Sequence, residues 1–250
     1  MTFLAMLAWT EAAGAAQIVK DCSECPELIM RKDGTAIGQT LVTRKQFAAF
    51  AKDTAFSPQG GCLVNDGVNW STDPKASWQS PGFEQTDDHP VVCITWLDAV
   101  AYADWLTKKT GKSYRLLTFA ESDAMAHPNK TKYPWGRKLG NVCARGNIAD
   151  ESYKKVFVKD PRPVVHCTDK YVYTSPVKAF PPTSEGFYDV AGNVWQWTND
   201  CLHGDCSNAV FRGGGWNDPE TKRFGLGDSW ADRIILKNFV IGMRVMRESN

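Results

Sequence analysis

The chain has 250 residues, enough for one large domain or two small ones with an extensive hydrophobic core. Its 29 Lys and Arg residues nearly balance 28 Asp and Glu residues, so a net charge of +1 offers no bulk attraction for nucleic acid or an anionic membrane surface. We therefore expect neither as a partner. Ten tryptophans favour a rigid core with an aromatic-lined groove.

The N-terminal segment is apolar from Phe3 to Trp9 and continues into a small-residue run at 12–16. Such a run is typical of the cleavage site of an export signal. The apolar stretch is short and no Lys or Arg precedes it, so an ordinary N-terminal helix is the alternative interpretation. We predict an export signal over residues 1–16 and a single domain over residues 17–250. No other apolar run approaches the roughly 18 residues that cross a bilayer.

The eight cysteines are even in number and lie mostly beside turn-rich segments, which favours disulfides and a periplasmic or secreted location. The alternative is a metal site, because Cys-x2-Cys and Cys-x4-Cys pairs supply thiolate ligands and His203 lies between the last two cysteines. A second Cys-x2-Cys pair at zinc-ribbon spacing is absent. We therefore predict disulfides for Cys22, Cys25, Cys62, Cys93, Cys143, Cys167, Cys201 and Cys206.

Three helices are predicted in the first half of the chain. Thr43 is an N-cap before a helix that starts at residue 44, with apolar residues at helical spacing. A strand at 91–96 precedes a second helix, 97–109, which stops at Gly111. A capping box formed by Thr118 and Glu121 opens a third helix that ends near residue 127.

The segment from 57 to 88 is rich in Gly, Pro, Asn, Asp and Ser and forms a long irregular excursion. Such excursions are usually functional or pinned, and Cys62 and Cys93 at its ends offer a pin. From residue 140 onward the pattern indicates loops with short strands. Early helices followed by irregular chain, without alternating strand and helix units, favour a single α+β domain with little regular secondary structure.

The most informative stretch combines two tryptophans with tight turns. Trp195 and Trp197 are one residue apart, as on one face of an extended segment. Gly192-Asn193 predicts a tight turn before them, and the three glycines at 213–215 predict close approach of the backbone to a large, flat group.

The segments Glu-Gly-Phe-Tyr-Asp-Val-Ala-Gly-Asn-Val-Trp-Gln-Trp-Thr-Asn-Asp-Cys (185–201) and Phe-Arg-Gly-Gly-Gly-Trp (211–216) resemble the signature of the formylglycine-generating enzyme/sulfatase-modifying factor family. Segments 89–106 and 115–127 are similar to two further blocks of that family, the second imperfectly. The resemblance covers about residues 20–247. It implies the family fold, a variant of the C-type lectin fold, in one domain.

Formylglycine-generating members of this family bind copper through two cysteines just after the glycine run. Asp218 and Arg223 occupy those positions here, and Gly215 replaces a serine. A soft thiolate pair selects Cu(I), whereas Asp and Arg do not bind it. No cysteine follows Cys206. The resemblance thus implies a member without copper and without copper-dependent formylglycine generation.

The resemblance also implies structural calcium, held by oxygen ligands in two sites. In the first, side-chain oxygens of Asn147 and Asp169 and carbonyls of Ile148 and Tyr171 are the expected ligands, and a Cys143–Cys167 disulfide would hold the two halves together. Plain turns are the alternative interpretation.

The second calcium site matches Asn193, the carbonyl of Val194, and Gln196. The family has Glu at the last of these positions. A carboxamide keeps an oxygen but removes a negative charge, which weakens a divalent site.

The position of the missing copper ligands retains aromatic, carboxylate and guanidinium side chains. We predict three catalytic residues: Asp218 or Glu220 as the general base, with Arg223 steadying developing negative charge. The predicted contacts to a polar, partly aromatic small-molecule or peptide ligand are Trp216, Asp228, Trp230 and Arg233. In the alternative interpretation the charged groups solvate a loop and the tryptophans pack inward.

Two functions are compatible with this sequence. The first is an exported tailoring oxidoreductase, similar to the family member that matures the siderophore pyoverdine in the periplasm by oxidising the dihydropyrimidine ring of its ferribactin precursor. Its redox cofactor is not identifiable from the sequence. The second is a non-catalytic ligand-binding or accessory module on a lectin-like scaffold. We favour the enzyme, because a buried cluster of Asp218, Glu220 and Arg223 beside two tryptophans is costly for a scaffold alone.

Overall fold

The computed structural model describes residues 16–58, 60–219 and 221–249. Nearly all of the predicted export signal, and Glu220 of the predicted catalytic group, lie outside the described residues. Within these ranges no helix combines the length and the apolar character needed to cross a bilayer.

The three predicted helices are present, and their predicted starts and ends agree with the structure to within about one residue. They are α1 (Arg44–Thr54), α2 (Trp96–Thr110) and α3 (Phe119–Ala126), followed by a short fourth helix, α4 (Glu151–Val156). Thr43 and Thr118 form capping boxes, and Gly111 ends α2 in the left-handed conformation. The sequence analysis did not predict α4, which Asp150 caps through the amides of Ser152 and Tyr153.

The predicted strand at 91–96 is wrong. Cys93 has a φ of +58°, which interrupts extended backbone, and α2 already begins at Trp96. The amides bond to two different segments instead of one ladder: Val91 donates to Val42 and Cys93 donates to Asn238. Because the segment is buried, its apolar run looks like a core strand in the sequence.

Eleven short strands occur in the described ranges. They are β1 (Ile18–Val19), β2 (Leu28–Met30), β3 (Ala36–Gly38), β4 (Cys62–Asn65), β5 (Trp70–Asp73), β6 (Tyr114–Leu116), β7 (Trp195–Leu202), β8 (Asp205–Arg212), β9 (Trp230–Arg233), β10 (Ile241–Met243) and β11 (Val245–Arg247). One antiparallel sheet has the order β1-β2-β3-β11-β6, and a second has the order β10-β7-β8-β9. β4 and β5 form a separate hairpin inside the long excursion.

The second sheet positions the signature tryptophans. Trp195 and Trp197 both pack edge-on against Phe211 of β8, with ring centroids 5.3 and 5.0 Å from it. This confirms that the two tryptophans share a face. On the other edge β10 pairs in parallel with β7, with Ile241 opposite Trp195, so the C-terminal segment closes over the signature.

All eight cysteines form disulfides, as predicted. The pairs are Cys22–Cys25, Cys62–Cys93, Cys143–Cys167 and Cys201–Cys206, and no cysteine is free. Cys22–Cys25 tightens a loop, and the next two bridges join segments that are distant in sequence. Cys201–Cys206 closes the turn between β7 and β8. The alternative of thiolate metal ligation therefore does not apply to these cysteines.

We expect a Cys62→Ala/Cys93→Ala variant to lose more free energy of unfolding than a Cys201→Ala/Cys206→Ala variant. The first bridge spans 31 residues and the second spans 5. Loop-closure entropy predicts losses of about 4 and about 2 kcal/mol respectively. Burial of Cys62 and Cys93 adds to the first loss, since Cys206 is exposed. Urea unfolding under oxidising conditions measures both, and an equal or reversed order would contradict the prediction.

Candidate functional site

The two halves of the signature lie against each other. β7 and β8 pair with Gln196 opposite Arg212. Beyond the strand ends, the Gly192 amide donates to the Gly213 carbonyl at 2.8 Å, and the Trp216 amide donates to the Asn193 carbonyl at 2.9 Å. The turn before β7 and the glycine turn after β8 therefore form one unit.

The glycine turn is pressed against aromatic rings. Gly214 has a φ of +71°, and a Cβ there would lie 2.5 Å from a ring carbon of Phe224. A Cβ on Gly215 would lie 3.1 Å from Cδ1 of Trp195. A side chain at Gly214 would force a buried ring to move. This confirms that the glycines allow close approach to large, flat groups.

Trp216 lies in the core. Its side chain is 1% exposed and packs against the rings of Phe83, Tyr153, Phe157, Tyr173 and Phe239, with centroid distances of 5.1 to 6.0 Å. The ring thus has no surface on which a ligand could rest, contrary to the expectation that it contacts the substrate. Its role in this structure is packing.

Asp218 closes the glycine turn. Its carboxylate accepts the Gly215 amide at 2.7 Å, and its own amide donates to the Gly215 carbonyl at 3.0 Å. Burial raises the pKa of Asp218 to about 6, although the Gly215 hydrogen bond and the charges of Arg223 and Arg162 act in the opposite direction. The carboxyl group therefore titrates near neutral pH, and part of its surface faces solvent.

Three of the predicted site residues meet at the surface. Arg223 forms an ion pair with Asp228 at 3.6 Å, and its guanidinium lies 4.7 Å from the ring centroid of Trp230. Trp230 is 52% exposed. Arg233 lies at the opposite end of β9, where Asn208 pairs with it, and its side chain is exposed. The structure therefore brings Arg223, Asp228 and Trp230 together. The charge of Arg223 also acts on the Asp218 carboxyl. Arg233 is not part of this group.

A buried polar cluster beneath this surface is absent from the sequence prediction. Arg212 is 1% exposed and pairs with Asp123 at 3.2 Å. Asp123 also accepts the amide of Gly227, the residue before Asp228. Arg212 thus connects the glycine turn to the loop that carries the surface ion pair. The sequence does contain a signal for this cluster, because Arg212 belongs to the family signature. A buried arginine requires an anionic partner, which here is Asp123.

His127 lies beside this cluster with 1% of its surface exposed. Its Nδ1 is 2.9 Å from the carbonyl of Thr131, an acceptor, so Nδ1 carries the proton. Burial, followed by the charge of Arg212, lowers the pKa of His127. The imidazole is therefore neutral at pH 7 and serves the packing of the segment after α3.

The residues of the first expected calcium site fit a cation. Asn147 Oδ1 is buried and has no hydrogen-bond partner. Asp169 accepts the amides of Ile148 and Tyr171 at 2.8 Å each. Burial raises the pKa of Asp169, and the neighbouring Asp150 raises it further. The Asn147 oxygen without a protein partner, and the Asp169 carboxyl that is held by the amide of the next residue, Ile148, are oxygen donors of the kind that Ca²⁺ takes.

The residues of the second expected site do not fit a divalent cation. The Oδ1 of Asn193 accepts the Ser175 amide at 3.0 Å, and Gln196 Oε1 accepts a hydrogen bond from the Arg244 guanidinium at 3.0 Å. Val194, whose carbonyl is the third expected ligand, is fully buried in the same turn. Both side-chain oxygens expected to bind metal are thus engaged by protein donors.

Arg244 supplies the positive charge at this second position. It is 1% exposed and also donates to the carbonyls of Gly38, Tyr188 and Asp189. Burial lowers the pKa of Arg244 to about 10, so it stays protonated at neutral pH. A carboxylate in place of the Gln196 amide would pair with this arginine, whereas the amide shares its two ends between Arg244 and the Asp189 carbonyl. The sequence analysis missed both Asp189 and Arg244.

The residues at the expected copper positions do not fit the metal. Asp218 and Arg223 stand there, and every cysteine is committed to a disulfide. Cu(I) is held by soft thiolates, which neither side chain replaces. The chemistry of these donors therefore excludes the copper site of the formylglycine-generating enzymes at this place.

Comparison with known proteins supports the family resemblance. Residues 10–249 match the sulfatase-modifying factor enzyme 1-like domain. The formylglycine-generating enzyme of Thermomonospora curvata is 34% identical over 211 residues, which are 73% of this chain and 65% of that protein. The inactive C-alpha-formylglycine-generating enzyme 2 of Bos taurus is 33% identical over 158 residues, 60% of this chain and 47% of that protein. The chain spans at most about two thirds of the length of these curated relatives.

Solved structures extend the likeness to the fold. PvdO from Pseudomonas aeruginosa superposes with a TM-score of 0.72 and 25% identity, over 95% of this chain and 100% of that chain. Variable protein 1 of Treponema denticola has a TM-score of 0.58 at 18% identity, over 93% and 92% of the two chains, and shows the fold alone. The expected α+β fold, a variant of the C-type lectin fold, is confirmed, and the chain belongs to the formylglycine-generating enzyme/sulfatase-modifying factor family.

Proposed function

We propose that the protein is an exported tailoring oxidoreductase that matures a peptide-derived siderophore of the pyoverdine type. One observation carries the proposal: the chain superposes on the whole of PvdO, a pyoverdine maturation protein, with a TM-score of 0.72. Copper-dependent formylglycine generation is the activity that the curated enzymes suggest. The donors at the copper positions argue against it here, because no free thiolate is left to bind the metal.

Export is supported by the four disulfides. Such bonds persist in oxidising compartments and are rare in the reducing cytosol. Two of the bridges join residues 31 and 24 positions apart, and the other two close local turns. A reducing environment would weaken all of them together, which favours a periplasmic or secreted location.

The proposed substrate contact is the surface formed by Trp230 and Arg223. Trp230 offers an exposed ring for stacking against a planar heterocycle, and Arg223 beside it attracts negative charge. Asp228 holds the guanidinium in place at 3.6 Å. Small, planar, partly anionic rings are the class of group that such a surface recognises.

In the proposed reaction, two ring hydrogens leave the dihydropyrimidine and one ring double bond forms. The Asp218 carboxylate accepts a proton from a ring carbon, and Arg223 steadies the negative charge that develops. The electron pair and the second proton leave with the oxidant, which we assign to dioxygen. The overall change is loss of two electrons and two protons from the ring and reduction of dioxygen to hydrogen peroxide. A pKa of about 6 lets Asp218 act as a base at neutral pH.

A non-catalytic binding module remains the second candidate. The specific observation in its favour is the relative described as an inactive formylglycine-generating enzyme. Such a module would use Trp230 and Arg223 for binding but would not need the Asp218 carboxylate.

We expect Asp218→Asn to lower kcat for ring oxidation by about 100-fold or more, the usual contribution of a general base. The assay follows chromophore fluorescence and hydrogen peroxide with purified, disulfide-bonded protein and the dihydropyrimidine precursor. Asp104→Asn, an exposed change on α2, is the matched control and should keep full activity. Binding of precursor without oxidation by the unmodified protein would support the module instead, and no binding would remove both candidates.

We also expect the Asp218 carboxyl to make folding stability depend on pH. Its pKa is raised in the folded state, so its stabilising contribution is complete below pH 4 and is lost as pH rises towards about 6. Relative to Asp218→Asn, the native protein should lose about 2 kcal/mol between pH 4 and pH 7, after allowance for partial exposure. Urea unfolding of both proteins across this range gives the difference. A difference that does not vary with pH would show that the carboxyl is not perturbed.

We further propose that the first calcium site is occupied in the native protein. Calcium at about 100 times its Kd should stabilise the fold by about 3 kcal/mol. Asn147→Ala should abolish most of this gain, because it removes the unpartnered oxygen, whereas Asn69→Ala in the exposed hairpin should keep it. Thermal unfolding with and without a chelator measures the effect. Equal calcium-dependent shifts in the two variants would rule out this ligand set.

A further inference from the structure

A cavity of about 270 Å³ lies away from Asp218 and Arg223. One wall is the segment 128–136 after α3, and the other is the segment 181–191 before β7. Arg145, which follows a short 3-10 turn at Val142–Ala144, stands at its side. The volume lies just below the range of about 300–1,000 Å³ for small-molecule sites, which limits the ligand to a small molecule.

The walls of this cavity contain several conformationally restricted residues. Pro128, Pro134, Pro181 and Pro182 restrict the backbone on both sides. Across the second wall, the Thr183 amide donates to the carbonyl of residue 187 at 2.8 Å. A preorganised wall reduces the entropy lost on binding.

Trp135 provides a fixed aromatic surface in the cavity. Its Nε1 donates to the Leu139 carbonyl at 2.9 Å, and its ring stacks on Tyr133 with a centroid distance of 5.7 Å and an interplanar angle of 7°. The ring is only partly buried and lines the cavity. An indole ring fixed in this way favours stacking with a planar group of a ligand.

The lining of the cavity carries one guanidinium, Arg145, and one carboxyl group, Asp189. Arg145 is exposed, and no hydrogen bond or ion pair joins its guanidinium to another residue of the described ranges. Asp189 also lines the cavity, but its two carboxyl oxygens already accept hydrogen bonds from the Lys178 amide and from Asn193. The Cys143–Cys167 disulfide anchors the turn that carries Arg145. Because Asp189 is engaged by protein donors and Arg145 is not, an anion is the ligand that pairs with the group left open.

We propose that this cavity binds a small planar carboxylate, with its ring against Trp135 and its carboxylate paired with Arg145. One aromatic ring held by its neighbours and one guanidinium without a partner among the described residues, in a cavity of mixed polar and apolar lining, are the features that recognise such a molecule. The site goes beyond the proposed oxidation, since it shares no residue with the surface of Arg223 and Trp230.

The test uses 4-fluorobenzoate as the probe and ¹⁹F NMR of the full, disulfide-bonded protein as the readout. We expect saturable binding by the unmodified protein. Arg145→Gln should weaken it by about tenfold or more through loss of the charge-assisted pair, and the neutral analogue 4-fluorobenzamide should bind weaker to a similar degree. Trp135→Leu should weaken binding of both probes, with circular dichroism as a check that the variant is folded.

Arg137→Gln is the matched control, because Arg137 is exposed nearby and does not line the cavity. It should bind 4-fluorobenzoate as the unmodified protein does, and so should Asp218→Asn, which separates this site from the proposed reaction. Absence of saturable binding would overturn the inference. Equal binding by Arg145→Gln and the unmodified protein would do the same.

Discussion

The structure depends on the contact between two turns that are distant in sequence. The backbone of Gly192 and Asn193 bonds to the glycine turn at Gly213 and to Trp216. Because the glycines carry no side chain, the turn fits between Phe224 and Trp195, and Trp216 enters an aromatic core built from four other segments. The same contact sets where Asp218 and the loop to Arg223 leave the core, so it also positions the candidate site.

Buried arginines organise the polar interior around this contact. Arg212 pairs with Asp123 behind the glycine turn, and Arg244 bonds to Gln196 and three backbone carbonyls behind β7. A guanidinium has five donors in a fixed plane, which suits it to satisfy several buried carbonyls together. At the second expected calcium position the protein itself supplies the cation, Arg244, whereas at the first the Asn147 oxygen has no protein partner.

The chain resembles formylglycine-generating enzymes in one part of the structure and differs from them in another. The family signature consists of turns and buried rings, which govern packing and are retained here. The expected copper positions follow the glycines, and there Asp218 and Arg223 supply a carboxylate and a guanidinium instead of thiolates. Loops on a stable scaffold tolerate such replacement, and this is why family membership by itself does not assign an activity.

The sequence by itself determined the features that depend on local chemistry. Capping residues at Thr43 and Thr118 set helix starts, Gly111 set a helix end, and the glycine run indicated a close backbone approach. Only the tertiary structure decided the path of residues 91–96, the burial of Trp216 and the pairing of Gln196 with Arg244, which are 48 residues apart. These outcomes depend on partners that are distant along the chain, and an apolar run, a tryptophan or an amide does not specify its partner locally.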